Sequence, residues 1–414
     1  MVIQPHNDSR MLEKQQITEI LRSDIMIPFE YSKKTKLVFG SGSRERAGEL
    51  ACGLGRKVLL HCSGKPGSAT TAVADAAKAA ILAAGASCVM LPGVLPNPRL
   101  ALVYEGIRLC RETNVDCILA VGGGSVIDSA KAIAAGVFHN GNVWDFYTGN
   151  AAMPKKALPI GSVLTIPAAG SETSDGTVIT NEAEKRKLSF CAPCIVPEFA
   201  ILDPELCLTL PAYQMACGVC DIIAHVLERY FTNTPHTDFI DRLCEATIRS
   251  LLYNAQKLLG NLQDVTAWGE IMLAGCFAHN GYLGCGREQD WSSHEIEHEI
   301  SAIYDIAHGA GLAIVFPAWM EYVFTENLNA FVQFAVRVFD VDLTFDDPEA
   351  IAREGIRRFK SFLHMLGLPV SLSQAGIPSS EFERMAEGAC RNGTLGHFKV
   401  LQKQDVINIL ELAK

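Results

Sequence analysis

The chain has 414 residues, of which 49% are apolar and 20% are charged, which is typical of a globular protein with room for two domains. Its formal net charge of −10 argues against a general nucleic-acid binder, because such a protein needs a broad basic face for phosphate. The sequence contains no run of about 18 uncharged apolar residues, so we expect no membrane span and no membrane partner.

The first segment of the chain, residues 1–25, is polar and mixed in charge, and we interpret it as an N-terminal extension. It lacks the apolar stretch of a secretory signal. Many of the fourteen cysteines lie inside apolar segments, where a reduced thiol behaves as a small core residue. We therefore predict reduced thiols and a cytoplasmic location.

Residues 26–210 alternate short apolar runs with helical, often alanine-rich runs. The apolar runs, which predict strands, are Lys57–Cys62, Ser87–Leu91 and Asp116–Val121. The runs that predict helices are Ala69–Ala84, Arg99–Thr113 and Val126–Ala135. Strands that are apolar throughout and alternate with helices indicate a parallel sheet covered by helices on both faces. The sequence therefore predicts an α/β dinucleotide-binding domain over 26–210.

A glycine-rich turn, Gly122-Gly123-Gly124-Ser125, lies where the third predicted strand ends and the next helix begins. Glycine lets the backbone approach a phosphate closely, and the free N–H groups of the first helical turn face it. A dinucleotide pyrophosphate is the natural occupant of such a turn. A tight strand–helix connection without a ligand would have the same residues, so both interpretations stay open here.

After residue 210 the β-branched runs give way to long amphipathic segments. The clearest are Tyr213–Phe231, Thr237–Leu259 and Ser292–Tyr304. This pattern predicts an all-helical domain over 211–414.

Two pairs of polar residues at helical spacing lie in this second half. Asp221 precedes His225 by four residues, His294 precedes His298 by four, and His308 follows ten residues later. One carboxylate with two or three imidazoles suits Fe²⁺ or Zn²⁺. We therefore predict a divalent-metal site that keeps one position open for a substrate oxygen.

The segment His294–His298 also fits the HExxH pattern of zinc proteases. Its longer form fails because Ser301 stands where a glycine is needed, although Glu321 is available as a third ligand. A protease would leave the glycine-rich half and the Asp221–His225 pair without a role. A metal-binding protein without catalysis is the other alternative.

Taken together, these segments resemble the iron-type (group III) alcohol dehydrogenases, in particular their NADPH-dependent butanol dehydrogenase branch. The similarity extends from about Phe29 to the C-terminus. The segments that carry it are Phe39–Gly42, Pro96–Pro98, Gly122–Ala134, Ile166–Glu172, Ile201–Pro204, Gly218–His225 and Leu395–Phe398, with the two histidine elements between the last two.

The resemblance implies an enzyme that transfers hydride between NAD(P)(H) and a small aldehyde or primary alcohol, with a polyol dehydrogenase of the same fold as the alternative. It implies one divalent metal, Fe²⁺ or Zn²⁺, with the ligands Asp221, His225, His294 and His308. It leaves His298 as a catalytic neighbour of substrate and nicotinamide, and it implies a homodimer or larger homo-oligomer.

For the cofactor, the resemblance implies contacts along the cleft from Asn97, Gly123, Gly124, Ser125, Asp128, Thr165, Ser171 and Lys187. The loop after the second strand departs from the family pattern and reads His61-Cys62-Ser63-Gly64-Lys65. NAD-preferring members tend to have an aspartate there, whereas Ser63, Gly64 and Lys65 offer no carboxylate to repel a 2′-phosphate. We therefore expect NADP(H) rather than NAD(H).

Overall fold

A computed structural model describes residues 26–64, 69–344 and 347–414 of the protein. The predicted extension 1–25 and Lys65 of the predicted cofactor loop lie outside these described residues.

The first half is built from strands that alternate with helices. Its strands are β1 (Lys36–Phe39), β2 (Lys57–Ser63), β3 (Ser87–Val94), β4 (Cys117–Gly122), β5 (Ile160–Leu164), β6 (Gly176–Asn181), β7 (Arg186–Cys191) and β8 (Phe199–Leu202). Its helices are α1 (Ala47–Leu54), α2 (Ala69–Ala83), α3 (Leu100–Thr113), α4 (Gly124–Gly136) and α5 (Trp144–Thr148). The predicted strands and helices of this half are confirmed, with ends that differ by at most three residues.

Six of the strands form one parallel sheet in the order β1-β8-β5-β4-β2-β3. Alternate side chains of β4 face opposite sides of this sheet. Cys117, Leu119 and Val121 pack with α1 and α2, whereas Ile118 and Ala120 pack with α3 and α4. Both faces of the sheet are thus covered by helices, and this is why the residues of β4 are all apolar. The arrangement confirms the predicted fold class.

The strands β6 and β7 form a separate antiparallel hairpin that the sequence analysis did not predict. Thr180 pairs with Lys187 near the turn, where Lys185 has a φ of 51°. A two-stranded hairpin is stable only when it packs on something else. Here Ile179 and Leu188 are buried in the core shared with α4.

The second half is helical. Its helices are α6 (Ala212–Tyr230), α7 (Asp238–Gly260), α8 (Val265–His279), α9 (Ser292–Tyr304), α10 (His308–Val323), α11 (Leu328–Phe339), α12 (Pro348–Met365), α13 (Phe382–Ala389) and α14 (Lys403–Leu412). In the described part of this half, the sole β feature recorded is an isolated bridge between Leu395 and Leu401. None of the helices that the structure describes is both long and apolar enough to cross a bilayer.

Candidate active site

A cleft of about 1530 Å³ lies between the sheet half and the helical half. Every predicted site residue that the structure describes lines it. These are Ser63, Gly64, Asn97, Gly123, Gly124, Ser125, Asp128, Thr165, Ser171, Lys187, Asp221, His225, His294, His298 and His308. The cleft lies at the carboxyl ends of β4 and β5, which is where ligands bind in open parallel sheets.

The glycine-rich turn joins β4 to α4. Gly123 precedes the first residue of α4, and no side chain caps the helix there. A Cβ at Gly123 would lie 3.2 Å from the Ile166 side chain, and one at Gly124 would lie 3.0 Å from Ala169. The Val126 amide already donates to the Gly123 carbonyl, whereas no backbone hydrogen bond is recorded among the described residues for the Gly124 and Ser125 amides, which are therefore available to a phosphate in the cleft.

Asp128 and Ser171 belong to a buried polar network that fixes the hairpin. The Ser171 hydroxyl donates to Asp128 Oδ1 at 2.5 Å, and the Val178 amide donates to Asp128 Oδ2 at 3.0 Å. Lys131 Nζ donates to Ser171 Oγ and to the Gly176 carbonyl. Burial raises the pKa of Asp128 and lowers that of Lys131 to about 8. Asp128 and Ser171, which are predicted to contact the cofactor, thus also belong to the hydrogen-bond network that holds β6 in place.

Three further predicted cofactor residues differ in their surroundings. Thr165 has a buried hydroxyl without a hydrogen-bond partner, so it is available to a ligand. The Asn97 side chain bridges the cleft, because its Nδ2 donates to Asp305 Oδ1 at 2.9 Å. Lys187 extends from β7 towards the helical half, with Nζ 3.2 Å from both Glu297 Oε2 and His308 Nδ1.

Three of the four predicted metal ligands converge at the bottom of the cleft. The ligand atoms of Asp221, His294 and His308 all lie within 4.8 Å of one another. Asp221 Oδ1 is 3.9 Å from His294 Nε2 and 3.8 Å from His308 Nε2. Asp221 Oδ1 and His294 Nε2 are both buried without a hydrogen-bond partner. Buried polar atoms are costly unless satisfied, and a divalent cation between them would satisfy both.

His225, the fourth predicted ligand, lies beside this set rather than within it. Its Nδ1 is 2.8 Å from the Asp221 carbonyl oxygen and 3.1 Å from Asp221 Oδ1. Its ring lies 4.6 Å from that of His294. Burial opposes ionisation of Asp221, but His225 and His308 lower its pKa well below the usual value. Asp221 is therefore an anionic carboxylate that faces the imidazoles.

Two buried glutamates behind the histidines were missed by the sequence analysis. Glu228 Oε1 is 2.7 Å from His294 Nδ1, and Glu297 Oε2 contacts His308 Nδ1. Each glutamate holds one ring nitrogen, so that Nε2 of the same ring faces Asp221. The only sequence signal was position: Glu228 lies three residues after His225 on α6, and Glu297 lies inside the HEIEH segment.

His298 lies in a different set from His294. The atoms of Glu297, His298 and His308 lie within 4.8 Å of one another, and no such set among the described residues contains both His294 and His298. Glu321 forms an ion pair with Arg353 at 3.1 Å, with both side chains partly exposed. The two histidines of the HExxH pattern and its third candidate ligand therefore do not form the three-ligand site of a protease.

Close helix packing places the candidate ligands. A Cβ at Gly218 would overlap the Pro167 carbonyl, and one at Gly309 would overlap the backbone of Cys217. These glycines let α6 approach both Pro167 and α10, which brings Asp221 near His308.

We expect Gly309→Ala to lower the free energy of unfolding by about 1–3 kcal/mol, because α10 must move away from α6. The same shift should reduce the metal bound per chain. Urea unfolding and metal analysis measure the two effects. Gly53→Ala is the control: Gly53 lies in α1, where an added methyl group would have nothing within 4 Å, and the substitution should be neutral or stabilising. Equal effects of the two substitutions would contradict the packing argument.

Known proteins resemble this chain over nearly its whole length. Residues 34–204 match the family described as iron-containing alcohol dehydrogenase, and residues 215–414 match the C-terminal part of the Fe-containing alcohol dehydrogenase family. The chain is 43% identical to probable NADH-dependent butanol dehydrogenase 1 of Bacillus subtilis over 92% of this chain and 98% of that protein. It is 33% identical to NADPH-dependent aldehyde reductase YqhD of Escherichia coli over 85% of this chain and 90% of that protein.

A solved structure also has a similar fold. The crystal structure of NADH-dependent butanol dehydrogenase A from Thermotoga maritima superimposes with a TM-score of 0.89 at 38% identity, covering 94% of this chain and 99% of the other. The resemblance drawn from the sequence motifs is thereby confirmed, and the protease alternative has no support. The chain belongs to the iron-containing alcohol dehydrogenase family and is an oxidoreductase.

Proposed function

We propose that this protein reduces small aldehydes to primary alcohols, and catalyses the reverse oxidation, with a nicotinamide cofactor and one divalent metal. The observation that carries the proposal is the meeting of two features in one cleft. The uncapped N-terminus of α4 lies on one side, and the unpartnered atoms of Asp221 and His294 lie on the other. A redox enzyme that uses both groups needs both sites in a shared space.

The metal would be held by Asp221, His294 and His308, and His225, which lies beside this set, is the proposed fourth ligand. When bound, a divalent cation supplies Lewis-acid polarisation of the carbonyl oxygen. Iron is the proposed metal because of the family to which the chain belongs, and zinc fits the same nitrogen and oxygen donors. Metal analysis of protein purified without air distinguishes the two.

The chain's own residues position the reactants. The first turn of α4, with Gly124 and Ser125, would bind the cofactor pyrophosphate, and the Thr165 hydroxyl is a free donor beside it. The walls of the cleft fix the distance between nicotinamide and carbonyl carbon. His298 has a buried Nδ1 without a partner, and it is the proposed group for handing a proton to the product oxygen.

Butanal reduction tests this function, with glycerol oxidation and casein hydrolysis as the rival reactions. We expect NAD(P)H-dependent reduction of butanal that is lost on removal of the metal by a chelator. Glycerol as the better substrate would instead favour a polyol dehydrogenase of the same fold.

We propose NADP(H) as the preferred cofactor. Ser63 and Gly64 line the cleft at the end of β2, and neither carries a carboxylate that would repel a 2′-phosphate. Four relatives at 37–43% identity are named NADH-dependent, and the aldehyde reductase at 33% is named NADPH-dependent, so the proposal depends on this loop alone. We expect kcat/KM to be at least about tenfold higher for NADPH, which corresponds to one favourable phosphate contact. Ser63→Asp should reverse the preference, and a wild-type preference for NADH would refute the proposal.

The assembly and location of the protein are also proposals. We propose a homodimer or larger homo-oligomer, which light scattering after gel filtration would measure. All fourteen cysteines are free thiols, which supports the cytoplasm as the compartment.

A further inference from the structure

A fully buried glutamate joins the two sides of the active-site cleft. Glu297 lies on α9, and its side chain is 0% exposed. Its carboxylate contacts His308 Nδ1 and accepts a hydrogen bond from the Ser301 hydroxyl. It also pairs with Lys187, whose Nζ lies 3.2 Å from Oε2. Because Lys187 belongs to the hairpin strand β7, Glu297 contacts both a candidate metal ligand and a cation that reaches across the cleft.

Two groups compete for the same ring nitrogen of His308. Its Nδ1 is in contact with Glu297 Oε2 and lies 3.2 Å from Lys187 Nζ. An ammonium group can only donate and a carboxylate can only accept, so a neutral imidazole can hydrogen-bond to one of them at a time through Nδ1. When Nδ1 carries the proton, it donates to Glu297 and leaves the lone pair of Nε2 free. When Nδ1 accepts from Lys187, the proton is on Nε2, and the ring is neutral in both forms.

The choice between these partners decides whether His308 can bind a metal. Its Nε2 is the atom that faces the candidate site, 3.8 Å from Asp221 Oδ1. A histidine binds a metal through a nitrogen without a proton, and a carboxylate at the other nitrogen stabilises that form. Glu297 therefore favours the metal-binding form of His308. Lys187 opposes it, both through its hydrogen bond and through its positive charge beside the site.

Lys187 is also a side chain that a bound cofactor would meet. It lines the cleft and extends from the sheet half to Glu297 in the helical half. A dinucleotide that extends from the first turn of α4 to the metal site has to pass between these two halves. Its ribose hydroxyls and carboxamide oxygen can accept hydrogen bonds from an ammonium group, which has three donors. A cofactor that takes up the donors of Lys187 leaves His308 Nδ1 to Glu297.

A second link crosses the cleft beside the first. The Asn97 side chain, which lines the cleft, donates to the Ile306 carbonyl at 3.2 Å. The Ser301 hydroxyl, which contacts Glu297, lies 3.2 Å from the same carbonyl. Asn97 is one of the expected cofactor contacts, and Ile306 lies two residues before His308. The backbone that leads to His308 is therefore also attached to the cofactor side of the cleft.

We propose that Glu297 is a positioning residue that couples cofactor binding to metal binding, and that Lys187 is the group which the cofactor draws away from His308. The inference rests on the proposed function, because it needs both a nicotinamide cofactor and a divalent metal in the cleft. Each ligand should raise the affinity for the other by the same factor, since coupling between two binding sites is reciprocal. We expect a factor of about 10, within the range of about 5- to 150-fold that such coupling usually has.

Two binding measurements on the full chain test the inference in the absence of any aldehyde. The first is the Kd for Zn²⁺, measured against a competing chelator, with and without NADPH or NADH, whichever binds more tightly. The second is the Kd for that cofactor, measured by its fluorescence, with and without Zn²⁺. We expect both ratios to be about 10. Equal Kd values with and without the other ligand would overturn the coupling and leave the proposed function intact. Failure to bind Zn²⁺ or either cofactor would overturn both.

Two substitutions assign the coupling to these side chains. Lys187→Met removes the competitor for His308 Nδ1, so it should raise the affinity for Zn²⁺ in the absence of cofactor and abolish the coupling. A merely structural role of Lys187 predicts the opposite sign, because a damaged site binds its metal less tightly. Glu297→Gln should lower the affinity for Zn²⁺ by about 10- to 100-fold, as expected for the partner of a metal ligand. It should also bring the Kd values for Zn²⁺ with and without cofactor close together.

Glu228→Gln is the matched control. Glu228 is also fully buried and lies 2.7 Å from His294 Nδ1. Its other side-chain contacts recorded among the described residues are the backbone amides of Trp291 and His294, in its own half. This variant should bind Zn²⁺ more weakly but keep the wild-type coupling factor. Loss of the coupling in Glu228→Gln, or unchanged coupling in Lys187→Met, would overturn the assignment. If Glu297→Gln does not fold, Lys187→Met and the wild-type measurements still decide.

Discussion

Asp221→Ala is expected to remove the bound metal and to lower kcat for butanal reduction by about 10³-fold or more. Asp221 is the only anionic member of the set that it forms with His294 and His308, and its Oδ1 faces both imidazoles from within the cleft wall. Without it, the site has no negative charge in direct contact with a cation. Loss of Lewis-acid assistance removes several kcal/mol of transition-state stabilisation, which sets the size of the expected effect.

The measurement is metal per chain by elemental analysis together with steady-state kinetics. Asp340→Ala is the matched control, because Asp340 is an exposed aspartate of the same domain that pairs with Arg249 at 2.8 Å. A surface ion pair of this kind contributes little, so metal content and kcat should stay near wild type. A stoichiometric metal in Asp221→Ala would show that the ligand assignment is wrong.

His298→Ala is expected to lower kcat by about 10²-fold or more while the metal stays bound. Burial, with Lys187 and His308, lowers the pKa of His298 well below its usual value, so that the ring is neutral at pH 7. A neutral imidazole with an unpartnered nitrogen in the cleft can accept and return a proton, and such a group typically contributes about 10²–10⁴-fold.

Metal analysis separates this role from that of a ligand. His364→Ala is the control, since His364 is an exposed histidine on α12, and it should leave both kcat and metal content unchanged. Loss of metal in His298→Ala would make His298 a ligand. Such a loss would require the ligand atoms of His294 and His298 to lie close to one another. Among the described residues, no candidate metal-binding group contains both histidines.

Much of the first half could be predicted because its signals are local. A strand of a parallel sheet is buried on both faces, so the residues of β4 must nearly all be apolar, and this is visible within six positions. The turn from Gly122 to Ser125 is equally local, since a phosphate turn needs its glycines next to one another. The hairpin β6–β7 was missed because its stability comes from packing on α4 rather than from its own residues.

In the candidate site, the amino-acid sequence was enough to identify the candidate metal-binding residues but not their arrangement. Helical spacing places Asp221 with His225 and His294 with His298, because residues four apart share a face. That spacing does not specify which face of α9 meets α6. Packing between the helices decided it, and it separated His294 from His298.

The residues that act on these groups from elsewhere in the chain became visible in the folded structure alone. The Glu228 carboxylate accepts a hydrogen bond from His294 across 66 positions and is fully buried, although a glutamate in a helix sequence is typical of an exposed residue. A sequence shows which atoms a residue has, and local spacing shows which neighbours share its face. Whether a charge is buried, and whether anything balances it there, depends on contacts between distant segments, which only the packed fold creates.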